Sequence, residues 1–279
     1  MVRGSLMSAP TRGPSGDLHV DVQLNQAALS WPDLRDRAVA AERAGYSALW
    51  VFDHLAGEGV RGNSMLEAFT LLGAIAASTS TIELGVMVAN VNNRTPATLA
   101  VAAATVQTIA GRRFHLGLGA GGSPTSRWSA EMRAVGQAVV PTLTGRHHLV
   151  ERTLDTIDLL WAGDRPASVA TFPLPRPRPP VLVGASGREL AALAARRADG
   201  INVDWLHPQR DQLLAAASEA AGARDFVRTV WMRWDEALLD PDHPTRVELA
   251  ALAIHRVVLV VPAAVSATAL ARPVSARSR

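Results

Sequence analysis

The sequence has 279 residues, is 48% hydrophobic and 19% charged, and carries a formal charge of +3, a balance typical of a globular protein. It contains no cysteine and no lysine, so all 28 basic residues are arginine. Disulfides, thiolate metal sites, lysine Schiff bases and a lysine-bearing phosphate loop are therefore excluded. The arginines are scattered among acids with no basic run, so we expect no nucleic-acid partner.

Short β-rich runs alternate along the chain with longer, alanine-rich helical runs. Strands are predicted at residues 19–24, 48–52, 82–88, 114–119, 181–184, 200–203, 226–233 and 256–261. Helices are predicted at residues 32–44, 65–78, 96–111, 150–161, 187–197, 208–221 and 244–253. Strict alternation of this kind predicts parallel strands connected by helices.

The number of repeated units bears on the topology of the sheet. A closed barrel and an open doubly wound sheet both fit, and a count of eight favours the barrel. We therefore expect an α/β fold, a single (β/α)₈ TIM barrel over residues 18–271. It would have an abbreviated insertion after strand four, at about 120–180, and an incomplete last helix.

The two ends of the sequence carry no targeting or membrane signal. Residues 1–17 are rich in Gly, Pro and Ser and are expected to be a disordered leader, and residues 272–279 a flexible tail. The most apolar stretch, 249–271, is interrupted by His255, Arg256 and Pro262, so no membrane association is expected. The absence of cysteine favours a cytoplasmic location.

Two histidines follow strand ends, where barrel active sites are built: His54 after strand two and His207 after strand six. His54 comes directly after Asp53, and an acid–imidazole pair can polarise a carbonyl group or shuttle a proton. A histidine that caps the following loop is the alternative. His147 and His148 are adjacent and form no i, i+4 pair, and we expect no metal site. A metal hydrolase is disfavoured because the predicted strand ends carry neither a His-x-His pair nor a carboxylate cluster.

Small residues at three other strand ends suit a bound ligand. The turn after strand five can bring its backbone close to a phosphate at a helix start, although an ordinary tight turn also fits; it comprises Gly184, Ala185, Ser186 and Gly187. Gly119 and Gly121 would let a flat ring lie near the backbone, unless they only begin a flexible loop. Asn90, after strand three, can hydrogen-bond a ring edge.

Four stretches together resemble the bacterial luciferase-like monooxygenase superfamily, in particular its coenzyme F420-dependent branch from actinobacteria. They comprise residues 43–54, the set 67–69 with 82–85 and 94–96, residues 111–121, and residues 180–187. The arginine- and alanine-rich composition suggests a high-GC genome, which suits a host that uses F420.

The resemblance implies roles for particular residues. His54 would face the reactive ring of the cofactor, with Asp53 beside it. A non-prolyl cis peptide at Met87–Val88, or one residue on, would support the ring, which places Met87, Val88, Ala89 and Asn90 beside it. The turn at 184–187 would hold the cofactor phosphate. Family members are often dimers, so the resemblance also implies a homodimer.

These expectations leave three functions open. The first is hydride transfer between coenzyme F420 and a small organic substrate; the second is an FMN-dependent monooxygenase served by a separate reductase. The third is a non-catalytic or partner-dependent cofactor-binding barrel. Gly122 and the short last helix motivate the third, because the sugar-phosphate dehydrogenases of the family carry a catalytic glutamate at the position of Gly122.

Overall fold

Eight short strands rich in β-branched residues form a closed parallel barrel in the computed structural model, which describes residues 18–274. The strands are β1 (His19–Leu24), β2 (Ala48–Val51), β3 (Glu83–Asn90), β4 (Phe114–Gly119), β5 (Val181–Gly184), β6 (Gly200–Asp204), β7 (Val227–Arg233) and β8 (Arg256–Val261). Closure is direct, because Val22 of β1 pairs with Leu49 of β2 on one side and with Leu259 of β8 on the other. The predicted barrel is confirmed, and the open sheet is excluded.

Helices cover the outside of the barrel. Within residues 18–274 they are α1 (Trp31–Ala44), α2 (Ala68–Ser78), α3 (Pro96–Ala110), α4 (Ala130–Ala134), α5 (Leu143–Trp161), α6 (Arg188–Arg197), α7 (Arg210–Ala221), α8 (Pro244–Ala251) and α9 (Ala267–Leu270). In this part of the chain none of them is long and apolar enough to cross a membrane. The predicted leader at 1–17 and residues 275–279 of the predicted tail lie outside the described residues.

Helix boundaries differ from the sequence prediction where polar side chains act as caps. Helix α5 begins at Leu143 rather than at 150, because the Thr142 side chain accepts from the backbone N–H of Gly145 at 3.1 Å. Helix α2 begins at Ala68 rather than at 65, since the Glu67 carboxylate accepts from Thr70 N–H. The last helix, α9, has only four residues, so the expectation of an incomplete helix is confirmed.

Apolar side chains fill two layers. The larger layer lies between the strands and the surrounding helices. The smaller one lies inside the barrel and comprises Ala48, Trp50, Met87, Leu182 and Val258. Gly85 makes room for Trp50, because a Cβ at position 85 would lie 2.3 Å from Trp50 Cε3. The barrel is therefore packed through its middle, as expected of an eight-stranded ring.

An ionic cluster closes the barrel at the N-terminal ends of its strands. Arg256 donates to both carboxylate oxygens of Asp21, at 2.8 and 3.0 Å, and lies 2.9 Å from Glu83. Glu83 in turn lies 2.8 Å from His115 Nε2, and Trp50 Nε1–H donates to Asp21. Burial alone would raise the pKa of Glu83, but these partners lower it to about 2. The charged groups at this end are therefore paired with one another within the protein.

Candidate active site

The main cavity of the barrel lies at the C-terminal ends of the strands and has a volume of about 780 Å³. Every strand, or the residues just after it, contributes to its wall. The lining includes Gln23, His54, Val88, Gly119, Gly184, Asn202, Trp231 and Val260, one for each strand in order. A cavity of this size and position is where barrel proteins bind their ligands.

His54 stands on a segment after β2 that is fixed on all sides by side chains from elsewhere. The Gln26 amide pairs with Phe52 in both directions, accepting from its N–H at 3.1 Å and donating to its carbonyl at 2.6 Å. The Asn93 side chain donates to the Asp53 carbonyl at 3.0 Å. These hydrogen bonds anchor the segment, although it lies in the loop after a strand. The His54 side chain is 20% exposed and lies at the cavity wall.

The carboxylate of Asp53 is almost completely buried and faces Arg94. The two groups form a bidentate pair, with both contacts at 2.8 Å, and Asp53 also accepts from the backbone N–H of Asn90 at 2.9 Å. Burial lowers the pKa of Arg94, but Asp53 and Glu67 outweigh this effect and raise it. The Asp53 carboxylate thus joins the ends of β2 and β3, with its oxygens occupied by protein donors.

Glu131 of helix α4 contacts His54 directly. Its Oε1 lies 3.2 Å from His54 Nδ1, and its Oε2 accepts from the backbone N–H groups of Leu55 and Ala56, both at 3.0 Å. Burial alone would raise the pKa of Glu131, but the hydrogen bonds from His54 and from this backbone lower it. The Trp128 ring also lies beside the imidazole, with its centroid 5.5 Å from that of His54.

The floor of the cavity is built around Val88. The Met87–Val88 peptide is cis, as the resemblance implied, and the Gln23 amide donates to the Met87 carbonyl. A Cβ at Gly119 would lie 2.4 Å from a Val88 methyl group, and one at Gly184 would lie 3.0 Å from the other. These glycines therefore accommodate the Val88 side chain, which was not part of the sequence argument for them.

Gly121 is required by its backbone conformation and by a close contact with Asn90, not by Val88. Its φ is +72°, a conformation that favours glycine, and a Cβ there would lie 2.6 Å from Asn90 Oδ1. Asn90 Oδ1 already accepts from the Asn92 backbone and side chain, at 3.1 and 3.0 Å. The oxygen of Asn90 is thus engaged within the protein, although the residue lines the cavity.

The turn between β5 and α6 opens on the same cavity as His54. Ser186 is exposed there, and Ala185 and Leu190 also line the wall. No side chain caps helix α6, whose N-cap residue is Gly187. The first N–H groups of this helix therefore have no side-chain acceptor, in contrast to α1, α2, α3 and α5.

Most of the residues singled out from the sequence line the cavity. They are His54, Asp53, Met87, Val88, Asn90, Gly119, Gly121, Gly184, Ala185 and Ser186. Ala89 and Gly187 lie outside the lining; Ala89 is fully buried because alternate residues of a strand face opposite sides. Sequence reasoning did not select Gln23, Asn202, Trp128 or Glu131. Within residues 18–274, no cluster of three or more acidic or histidine side chains is arranged to hold a metal.

The closed barrel and its mouth define a TIM-barrel protein with a ligand-sized site at the usual end of the strands. Residues 15–231 match the family described as luciferase-like monooxygenase. This match covers well over half of the chain, so the chain belongs to the luciferase-like monooxygenase family. The resemblance inferred from the sequence is confirmed.

Two curated relatives and one solved structure illustrate the similarity. The F420-dependent hydroxymycolic acid dehydrogenase of Mycobacterium tuberculosis is 32% identical over 239 residues, which cover 79% of this chain and 62% of that protein. The 5,10-methylenetetrahydromethanopterin reductase of Archaeoglobus fulgidus is 28% identical, covering 68% of this chain and 56% of that protein. An F420-dependent secondary alcohol dehydrogenase, solved with an F420–acetone adduct, superposes with a TM-score of 0.73 at 15% identity over 91% of this chain and 96% of that one.

The chain thus spans less than two thirds of the length of these two curated relatives. The solved structure supports the fold, at an identity too low to carry function.

Proposed function

We propose that this protein is an oxidoreductase that transfers hydride between coenzyme F420 and a small organic substrate. The observation that carries this proposal is that the His54 imidazole and the turn before α6, at Gly184, Ala185 and Ser186, open on one cavity. The names of the F420-dependent relatives support the choice of cofactor.

The residues at the cavity fit a cofactor with a flat ring and an anionic phosphate. The floor around Val88 is apolar, and the start of α6 offers N–H groups with a favourable helix dipole. Arg61, Arg127 and Arg233 also line the cavity, and none of them has a carboxylate partner within residues 18–274. This combination of an apolar floor and cationic walls matches a deazaflavin phosphate better than it matches an uncharged ligand.

Each group of residues would then have a distinct part. Met87, Val88 and Asn90, with Gly119 and Gly121, would lie against the ring, and residues 184–187 would hold the phosphate. When bound, a deazaflavin supplies a carbon that accepts or releases hydride. The cavity walls would keep the substrate beside it and exclude water.

His54 would handle the proton that accompanies hydride transfer. Its Nε2 has no hydrogen-bond partner within the described residues, whereas Nδ1 is occupied by Glu131. For an alcohol substrate, the hydroxyl proton would pass to Nε2 as the carbon loses hydride and the C=O bond forms. Asp53 would position this segment rather than react, because Arg94 and Asn90 N–H already occupy its oxygens.

The proposal is tested by titrating the protein in parallel with F420 and with FMN and following fluorescence quenching. Turnover is then measured as F420 reduction with a panel of small alcohols. We expect F420 to bind, and His54→Ala to bind it equally well while losing turnover. His207→Ala is the matched control, because His207 lines the same cavity but its Nδ1 accepts from the backbone N–H of Gln209 at 3.1 Å, which gives it a capping role.

Three results would contradict the proposal in different ways. Binding of reduced FMN alone, with oxidation by oxygen, would favour the monooxygenase. Absence of any flavin binding would favour a non-catalytic or partner-dependent barrel. Full turnover by His54→Ala would remove its catalytic role.

A cytoplasmic location, an actinobacterial source and a homodimer stay predictions. Cell fractionation tests the location, and light scattering tests the homodimer.

A further inference from the structure

Glu131 divides its carboxylate between two tasks. Oε2 accepts from two consecutive backbone N–H groups, at Leu55 and Ala56, and Oε1 faces the imidazole of His54. The side chain is only 6% exposed, and it reaches His54 from a segment 77 positions further along the chain. Helix α4, in the segment after β4, therefore contacts a residue at the end of β2.

The charge on Glu131 decides which nitrogen of His54 carries the proton. Its pKa is lowered below the ordinary value, so the group is an ionised carboxylate near neutral pH. An ionised carboxylate can only accept hydrogen bonds, so the partner at Nδ1 has to donate. The neutral imidazole then carries its proton on Nδ1 and presents a lone pair on Nε2.

The imidazole has little freedom to leave this arrangement. The Trp128 ring lies 5.5 Å from it at an interplanar angle of 31°, and the Phe52 ring lies 6.3 Å away at 45°. A Cβ at Gly59 would lie 3.5 Å from the Trp128 ring and 4.0 Å from His54 Cε1, so the segment around residue 59 packs against both rings. The ring plane is therefore held while Glu131 sets the tautomer.

We propose that Glu131 is a positioning residue that holds His54 in the Nδ1–H tautomer, so that Nε2 faces the cavity as a proton acceptor. The kinetic part of this inference rests on the proposed function, and the tautomer itself does not. Glu131 also stabilises the imidazolium that forms when Nε2 takes up a proton, because its carboxylate lies beside the new charge.

Glu131→Gln tests this role because it reverses the hydrogen bond. The two backbone N–H groups require an acceptor, so the amide oxygen takes the place of Oε2 and the amide NH₂ faces Nδ1. Nδ1 then accepts, and the proton moves to Nε2. The readout is the ¹⁵N spectrum of protein labelled at histidine, with His54→Ala identifying the His54 signals among those of the eight histidines.

Glu42→Gln provides a matched control. Glu42 also accepts from consecutive backbone N–H groups, at Ser80 and Ile82 among others, at 2.7 and 3.0 Å, and within residues 18–274 it forms no hydrogen bond or ion pair with a histidine. It should leave the His54 signals unchanged. We expect the Nδ1–H form in the unmodified protein and in Glu42→Gln, and the Nε2–H form in Glu131→Gln.

An Nε2–H tautomer in the unmodified protein, or an unchanged tautomer in Glu131→Gln, would overturn the inference. The first of these results needs no variant, so the inference can be tested even if Glu131→Gln does not fold. Where an alcohol of the panel is turned over, kcat of Glu131→Gln should fall by roughly 10- to 100-fold with little change in KM. A reversed tautomer with unchanged kcat would keep the positioning role and reject proton transfer at His54.

Discussion

A methyl group at position 119 tests how the floor of the cavity is built. Glycine loses more backbone freedom on folding than alanine, by about 0.5–1 kcal/mol within regular structure, so Gly119→Ala at the end of β4 would stabilise the protein if space allowed. The new Cβ, however, would lie 2.4 Å from Val88 Cγ2 and 3.3 Å from Val88 Cβ. Carbon atoms in ordinary contact are about 3.5–4.0 Å apart, so the overlap exceeds about 1 Å.

Turning the Val88 side chain would not remove the whole overlap. The Val88 Cβ, whose position does not depend on χ1, would still lie 3.3 Å from the new Cβ. A β-branched side chain also has few alternative rotamers. The backbone has to move instead, and overpacking of this kind costs about 1–3 kcal/mol. We therefore expect Gly119→Ala to lower the free energy of unfolding, although the backbone φ of Gly119 is suitable for alanine.

Urea denaturation followed by tryptophan fluorescence measures this change, and two variants sharpen it. Gly73→Ala, in helix α2, meets no atom within 4 Å and should raise the free energy of unfolding by about 1 kcal/mol. Val88→Ala costs about 1.5 kcal/mol alone, from the loss of two carbon atoms. Combined with Gly119→Ala, it should restore part of the loss. Strictly additive effects, or a stabilising Gly119→Ala, would refute the steric account.

Three further predictions concern charged groups. Because the folded pKa of Glu83 is lowered to about 2 from 4.5, its stabilising contribution is complete above pH 4.5 and is lost as the pH falls towards 2. Glu83→Gln should remove this part of the acid dependence, at most about 3 kcal/mol in urea titrations between those values; parallel curves for the two proteins would contradict it. Arg256→Met leaves Asp21 and Glu83 without their shared cation and should cost about 3–5 kcal/mol in the same assay, whereas a loss below about 1 kcal/mol would indicate a solvated cluster. Asp53→Asn weakens the pair with Arg94, and should cost about 1.5–3 kcal/mol and lower turnover with F420, while unchanged turnover would argue against its positioning role.

Local sequence signals were sufficient for the fold and for part of the site. Alternation of apolar strands and alanine-rich helices predicted eight units, and the strand-end rule then selected Asp53 and His54. The strand–helix alternation and the strand-end rule both depend on residues that are close together in sequence. The eight-unit barrel and the position of Asp53 and His54 at the cavity reflect the regularity of the fold, in which position along a strand decides which end of the ring a residue occupies.

The rest of the site depends on contacts between distant segments. Glu131 lies in the irregular region after β4, where no periodicity predicts its neighbours, and it reaches His54 only because the barrel is closed. Gly119 was explained by a flat ligand, whereas the structure shows the Val88 side chain, from the neighbouring strand, in that space. Composition could indicate that small residues were needed there, but not which group fills the space.

The polar groups of the barrel are distributed unequally between its two ends, and this asymmetry separates stability from binding. At the N-terminal ends of the strands, Asp21 and Arg256 pair with each other beneath Trp50 and leave little need for a ligand. At the mouth, the exposed guanidinium groups of Arg127 and Arg233 have no hydrogen-bond or carboxylate partner within residues 18–274, and Arg127 stacks on the Trp128 ring. Polar groups that the protein leaves unpaired at a cavity wall gain most from a ligand that pairs with them. Replacing Asp21 or Arg256 should therefore change the free energy of unfolding and leave cofactor affinity nearly constant, whereas replacing Arg127 or Arg233 should weaken cofactor binding and leave unfolding nearly unchanged.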